Sequence, residues 1–168
     1  PYRDVPAPDV NTGPQVMAWL LDTYSQFKGY LVPEVVTGKP IFLGGSEVRN
    51  EATAVGVTYC VREVLEDKSL KGKRIVIQGY GKVGWNAARI LYEKGSRIIG
   101  VSDSKGGITS TEGLNPYKVY EHKSKTGSVI NFPGAKTITN DELLGLECDV
   151  LIPAAMENTI TCLLYTSP

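Results

Sequence analysis

Apolar positions along the chain follow a helical period at first and then change character near Lys71. Val16, Leu20 and Phe27, with Met17, Leu21 and Tyr24 beside them, recur at three- and four-residue spacing and predict a helix with a wide apolar face. Thr12 and Gln15 have the T-x-x-Q spacing of a capping box ahead of it, and Gly29 is its stop signal. The preceding stretch, Pro1 to Pro14, holds four prolines in fourteen residues. Proline fixes φ and removes a donor, so this segment reads as a rigid extended loop. A loop rich in Gly and Pro runs from Thr37 to Ser46. A second helix is predicted over about Asn50 to Glu66, with Val57, Val61, Val64 and Leu65 on one side and small residues (Ala52, Thr53, Ala54, Gly56) near its start.

Beyond Lys71 short apolar runs alternate with helical patterns. Arg74 to Gln78 reads as a strand and Lys82 to Lys94 as a helix with Val83, Ala87, Ile90 and Leu91 inward. Gly95 ends that helix, and Arg97 to Val101 is the next strand. A loop follows around Lys105 to Glu112, then a helix over Tyr117 to Lys125. A second capping box spans Thr139 to Glu142, and a third strand covers Asp149 to Ile152. Strands alternating with helices predict an α/β fold, a doubly wound parallel sheet with right-handed crossovers.

Composition narrows the function classes. A chain of 168 residues with 42% hydrophobic and 21% charged positions suits one ordinary globular domain. Eighteen basic residues balance eighteen acidic ones, which leaves no electrostatic footprint for nucleic acid or a membrane surface. No apolar run reaches the roughly 20 residues of a membrane span. Cys60, Cys148 and Cys162 form no C-x-x-C pair and His122 is the only histidine, so no metal site is expected. An odd cysteine count without a signal-like N-terminus points to a reducing, cytoplasmic setting.

The chemistry-bearing motif is G-Y-G-K-V-G, with Gly79, Gly81 and Gly84 placed after a predicted strand and at the start of a helix. The first glycine permits a tight turn, the second lets a pyrophosphate approach the backbone, and the third lets helix and strand pack closely. The helix N–H groups, including those of Lys82 and Val83, then face the anion. Asp103 lies 19 residues after Gly84, at the end of the following strand, where an acid can accept hydrogen bonds from a ribose. An acid there favours NAD; Ser104 and Lys105 beside it suit the 2′-phosphate of NADP. NAD or NADP is therefore expected, with NAD preferred.

Further motifs stand around the glycine turn: D-V-P-A-P-D (Asp4 to Asp9), T-G-P-Q-V-M-A-W and T-G-K-P-I-F-L-G-G-S-E-V-R-N-E-A-T (Thr37 to Thr53) before it, and V-S-D-S-K-G-G-I and P-A-A-M-E-N-T-I-T (Pro153 to Thr161) after it. Taken together and in this order, the motifs resemble the glutamate/leucine/phenylalanine/valine dehydrogenase family, and look most like its glutamate enzymes. The resemblance implies that Asp9 is the catalytic acid that exchanges protons with the substrate amine. It also implies that Arg49 and Thr53 lie near the nicotinamide carboxamide, and that Ala154, Ala155 and Asn158 border the nicotinamide ribose. Lys82 stands where the family often has Asn, and Glu47 where it commonly has an apolar residue.

The activity so implied is reversible oxidative deamination of L-glutamate to 2-oxoglutarate and ammonia, in an enzyme that is a homo-oligomer, usually a hexamer, at full length. The family's glycine-flanked lysine and carboxylate-binding lysines are absent from this sequence, which begins at Pro1. The resemblance thus implies a fragment: residues 1–43 as the end of the substrate domain, 44–161 as a partial Rossmann domain, and an atypical tail at 162–168. A leucine- or phenylalanine-type dehydrogenase, a non-catalytic dinucleotide-binding module and an interaction fragment are the alternatives.

Overall fold

The computed structural model describes residues 1–9 and 11–162, so residues 163–168 of the tail lie outside the described residues. The chain divides into two compact units, Pro1–Ala52 and one beginning at Thr53.

In the first unit α1 spans Pro14–Lys28, with Pro14 at its first position, where the missing N–H costs nothing. The capping box predicted at Thr12 does not form. Gly13 is the N-cap without a side-chain bond, because the Thr12 hydroxyl is turned back onto Asp9. Gly29 closes the helix at φ +77, its N–H donating to Ser25 O and Gln26 O. Met17 and Leu21 pack with Val32, Val35 and Val36. Leu20 and Phe27, read from the sequence as part of the apolar face, are exposed, Phe27 at 88%. Among the described residues, the apolar cluster of this unit takes Met17 and Leu21 from the helix, with Val16 and Tyr24 at its margin. Three short 3-10 turns follow, Pro33–Val35, Ile41–Leu43 and Glu47–Asn50.

All of α2 (Ala52–Val64) but its first residue belongs to the second unit, which is built on β1 (Arg74–Gln78), α3 (Lys82–Glu93), β2 (Arg97–Asp103) and β3 (Gly106–Thr109). It continues through α4 (Pro116–Thr126), β4 (Lys136–Ile138), α5 (Asn140–Leu144) and β5 (Val150–Pro153). The strand order is β4-β3-β2-β1-β5. Strands β1, β2 and β5 pair in parallel, while β3 runs antiparallel to both β2 and β4, so four of the five strands point one way. The predicted loop after β2 is thus partly a hairpin, which a four-residue strand with two glycines does not announce by alternation.

Helices cover both faces, as the doubly wound reading requires. Ala87, Ala88, Ile90 and Leu91 of α3 and Val119 of α4 share one core with Ile75, Ile77, Ile98 and Val101. Leu143 of α5 packs on the opposite face with Val76, Ile99 and Ile138. Burying a side chain such as Leu91 contributes about 1.5–3 kcal/mol. The Thr139 capping box forms in full, Glu142 N–H donating to the Thr139 hydroxyl and Thr139 N–H to the Glu142 carboxylate. Strand β5 lies on the side of β1 away from β2. A crevice opens at such a switch in strand order, outside the carboxyl ends of the strands.

Candidate functional site

A cleft of about 670 Å³ occupies that crevice. The residues after β1 (Gly79, Tyr80, Gly81), at the end of β2 (Ser102, Asp103, Ser104) and after β5 (Ala154, Ala155, Asn158) all line it. Three motifs separated by up to 79 positions, Gly79 to Asn158, therefore meet because their strands are parallel neighbours.

Each glycine of the turn answers a different demand. Gly79 has φ +90, and a Cβ there would lie 2.5 Å from Ala154 O. A Cβ on Gly84 would lie 1.8 Å from Gly79 O, so helix and turn touch through that position. Nothing within 4 Å would meet a Cβ on Gly81, whose φ of −85 suits any residue. The protein's own packing gives no reason for glycine at 81. The space over it belongs to the cleft, beside the first turn of α3, which carries no side-chain cap bond. Such a turn leaves backbone N–H groups directed outward.

The turn is braced from α4. Tyr80, 3% exposed, donates its hydroxyl to Pro116 O at 2.9 Å, and burial pushes its phenol pKa up. Lys123 Nζ donates to Tyr80 O at 2.9 Å and lies 3.7 Å from Asp103 Oδ2. Sequence reasoning missed both residues, and no local signal marks Lys123 among the lysines of α4.

Asp103 lines the cleft with a carboxylate already engaged by the protein. Its Oδ1 accepts from Lys105 N–H at 2.9 Å and Ser128 Oγ at 3.1 Å, and its Oδ2 from Val129 N–H at 2.8 Å. Asn140 Nδ2 donates to its main-chain carbonyl at 3.1 Å. Burial works to raise its pKa, but the donors of Lys105, Val129 and Ser128, with the Lys123 charge, outweigh it and hold the carboxyl below the usual range. Ser104 beside it is exposed. Two further cleft residues, Gln78 and Ser102, have side-chain oxygens that are buried without a hydrogen-bond partner.

Other sequence-predicted residues do not line the cleft. Lys82 is exposed and Val83 half-buried on the first turn of α3, Gly84 is buried, and Thr53 is exposed at the start of α2. Arg49, half-buried in a 3-10 turn, and Asp9 belong to the first unit. Asp9 is exposed, and the Thr12 hydroxyl holds its main chain. That hydroxyl accepts from Asp9 N–H at 2.6 Å and donates to Asp9 O at 2.9 Å. An apolar groove of about 630 Å³ in the first unit, walled by Tyr24, Phe27 and Val36, includes none of the predicted site residues.

Among the described residues no group of His, Cys, Asp and Glu is arranged to hold a metal ion, and no helix is long and apolar enough to cross a membrane.

The family model described as Glutamate/Leucine/Phenylalanine/Valine dehydrogenase matches residues 44–163. The NADP-specific glutamate dehydrogenase of Saccharolobus shibatae is 48% identical over 159 residues, which is 94% of this chain and 38% of that enzyme. A cryptic catabolic NAD-specific glutamate dehydrogenase of Bacillus subtilis is 44% identical over 163 residues, 96% of this chain and 38% of its own length. Among solved structures, the hetero-hexameric glutamate dehydrogenase of Thermus thermophilus in its leucine-bound form aligns with a TM-score of 0.86 at 39% identity, over 96% of this chain and 38% of that one. The chain thus spans well under half the length of the proteins it matches.

Proposed function

Because this chain belongs to the glutamate/leucine/phenylalanine/valine dehydrogenase family, we propose that it supplies the dinucleotide cleft and the proton-transferring acid of an NAD- or NADP-dependent glutamate dehydrogenase. The reaction is the reversible oxidative deamination of L-glutamate to 2-oxoglutarate and ammonia. In that reading residues 1–43 end the substrate domain and residues 44–161 form part of the nucleotide domain. The observation that carries it is Gly81: a glycine that the chain's own packing does not require, at the mouth of an uncapped helix, over a cleft at the switch in strand order.

The residues present fit a dinucleotide. The N–H groups of the turn from Gly79 through Lys82 and Val83 to Gly84 hold the pyrophosphate, and the Lys82 ammonium adds charge. Asp103 orders the loop at the adenosine ribose, with Ser104 open to it. In this reading Ala154, Ala155 and Asn158 would border the second ribose, and the family resemblance alone assigns Arg49 and Thr53 to the carboxamide oxygen. When bound, the nicotinamide supplies hydride transfer at the substrate carbon. Asp9 moves a proton between the substrate amine and solvent, a task open to a carboxylate within hydrogen-bond reach.

Relatives named as NADP-specific and as NAD-specific match at 48% and 44% identity, which supports keeping both cofactors. The Thermus relative is named as a hetero-hexamer, and assembly with further subunits is part of this reading. The cytoplasmic setting stays part of this reading on the sequence alone, where an odd count of three cysteines suits a reducing compartment.

Gly81→Val tests the site. The added side chain enters open space, so stability should fall only by the roughly 1 kcal/mol that separates Gly from Val at an N-cap, read from thermal unfolding. NADH affinity, followed by its fluorescence, should fall at least about tenfold, because the branched side chain stands where the pyrophosphate approaches. Equal affinities for wild type and variant would remove this site.

A further inference from the structure

Pro8, the residue before Asp9, is seated on a glycine. Gly38 has φ +66, and a Cβ built there would lie 2.5 Å from Pro8 Cγ and 2.6 Å from Pro8 Cδ. The proline ring therefore fills the place that a side chain at position 38 would take. Thr37 N–H donates to Pro6 O at 2.9 Å, tying the same two strips together two residues earlier. Beyond Asp9 the Thr12 hydroxyl closes on both main-chain groups of Asp9, and Thr12 N–H adds a bond to Asp9 O at 3.0 Å. Pro6 and Pro8 each have φ locked by the ring, so few torsions are free to absorb a push before it reaches Asp9.

We propose that Gly38 is a positioning residue for the Asp9 carboxylate, setting the path of the acid loop through the Pro8 ring that rests on it. The inference depends on the reading of Asp9 as the proton-transferring acid. It gives the T-G-K-P stretch a physical use: its glycine is the seat, and its Thr37 N–H is the adjoining tie. Any residue larger than glycine must lift the ring by about 0.9 Å to restore an ordinary contact near 3.4 Å. A displacement of about 1 Å in a reacting group can cost roughly a hundredfold in rate.

The test uses a full-length dehydrogenase in which this chain replaces the matched stretch of the Saccharolobus shibatae enzyme. Gly38→Ala should lower kcat by about ten- to a hundredfold while leaving KM for the cofactor unchanged. Pro8→Ala removes both ring atoms that the new methyl would strike. Combined with Gly38→Ala it should restore most of the lost turnover. Alanine at positive φ stays strained in the double variant, so its melting temperature should remain lowered while its rate recovers. A merely structural role predicts the opposite, rate and stability moving together.

In the 168-residue chain the Asp9 amide resonance should shift in Gly38→Ala and return toward its wild-type position in the double variant. Normal kcat in Gly38→Ala, a double variant no faster than the single, or an unmoved Asp9 resonance would each overturn the inference. Asp9→Asn, measured alongside, keeps the two levels apart. Near-normal turnover there overturns the reading of Asp9, whereas a dead Asp9→Asn beside a normal Gly38→Ala overturns only the positioning role.

Discussion

Replacing Asp103 by asparagine keeps the shape of the side chain and removes one acceptor and the charge. In the structure Lys105 N–H and Ser128 Oγ reach Oδ1, Val129 N–H reaches Oδ2, and Lys123 Nζ stands 3.7 Å from Oδ2. The side chain is only 7% exposed, and Val129 is fully buried. An amide in the same place retains Oδ1 for two donors but turns an NH₂ toward Val129 N–H and the Lys123 ammonium. A buried donor left without an acceptor costs about 1–3 kcal/mol, and the remaining bonds lose their charge-assisted part. A total near 3 kcal/mol is expected. At about 3 °C per kcal/mol for a chain of this size, the melting temperature at pH 7 should drop by about 10 °C.

The pH dependence carries the sign of the effect. The carboxyl of Asp103 is held below its ordinary range. Its contribution is therefore complete above the unfolded value of about 3.9 and is lost as pH falls through the lower folded value. Melts of both proteins, by circular dichroism from neutral to acidic pH, should show a gap that is constant near neutrality and closes on acidification. A gap below about 1 °C at pH 7, or one that widens in acid, would show that these hydrogen bonds do not hold the loop as described.

Three further outcomes are expected. In the full-length enzyme carrying this chain, Asp9→Asn should lower turnover by orders of magnitude with cofactor affinity retained, because the amide cannot accept the proton. The 168-residue chain alone should show no glutamate-dependent NAD(P) reduction, since the lysines that the family resemblance assigns to water activation and carboxylate binding are not among its residues; the steady-state absorbance of the reduced nicotinamide checks both. Thr139→Ala should cost about 1 kcal/mol of stability by opening the capping box on α5, measured by urea unfolding.

The features legible in the residues alone are those whose causes lie within a few positions. The glycine turn is read from spacing because the tight turn, the helix start and the close contact of Gly84 with Gly79 O all fall within six residues. The Thr139 capping box and the Gly29 stop are equally local. The failed cap at Thr12 shows the limit of such reading, since the same hydroxyl had a second partner three residues back and took it. Strands β3 and β4 were missed because four and three residues are too few to show a period, and their place is set by pairing with β2 and with each other. The role of Asp103 depended on Ser128 and Val129, 25 and 26 positions away, whose N–H and O–H groups reach it only once β2 and α4 have packed. Lys123, Tyr80 and the seat of Pro8 on Gly38 belong to the same class: contacts between segments distant in the chain, which spacing cannot encode and which exist only after burial has brought the backbones together.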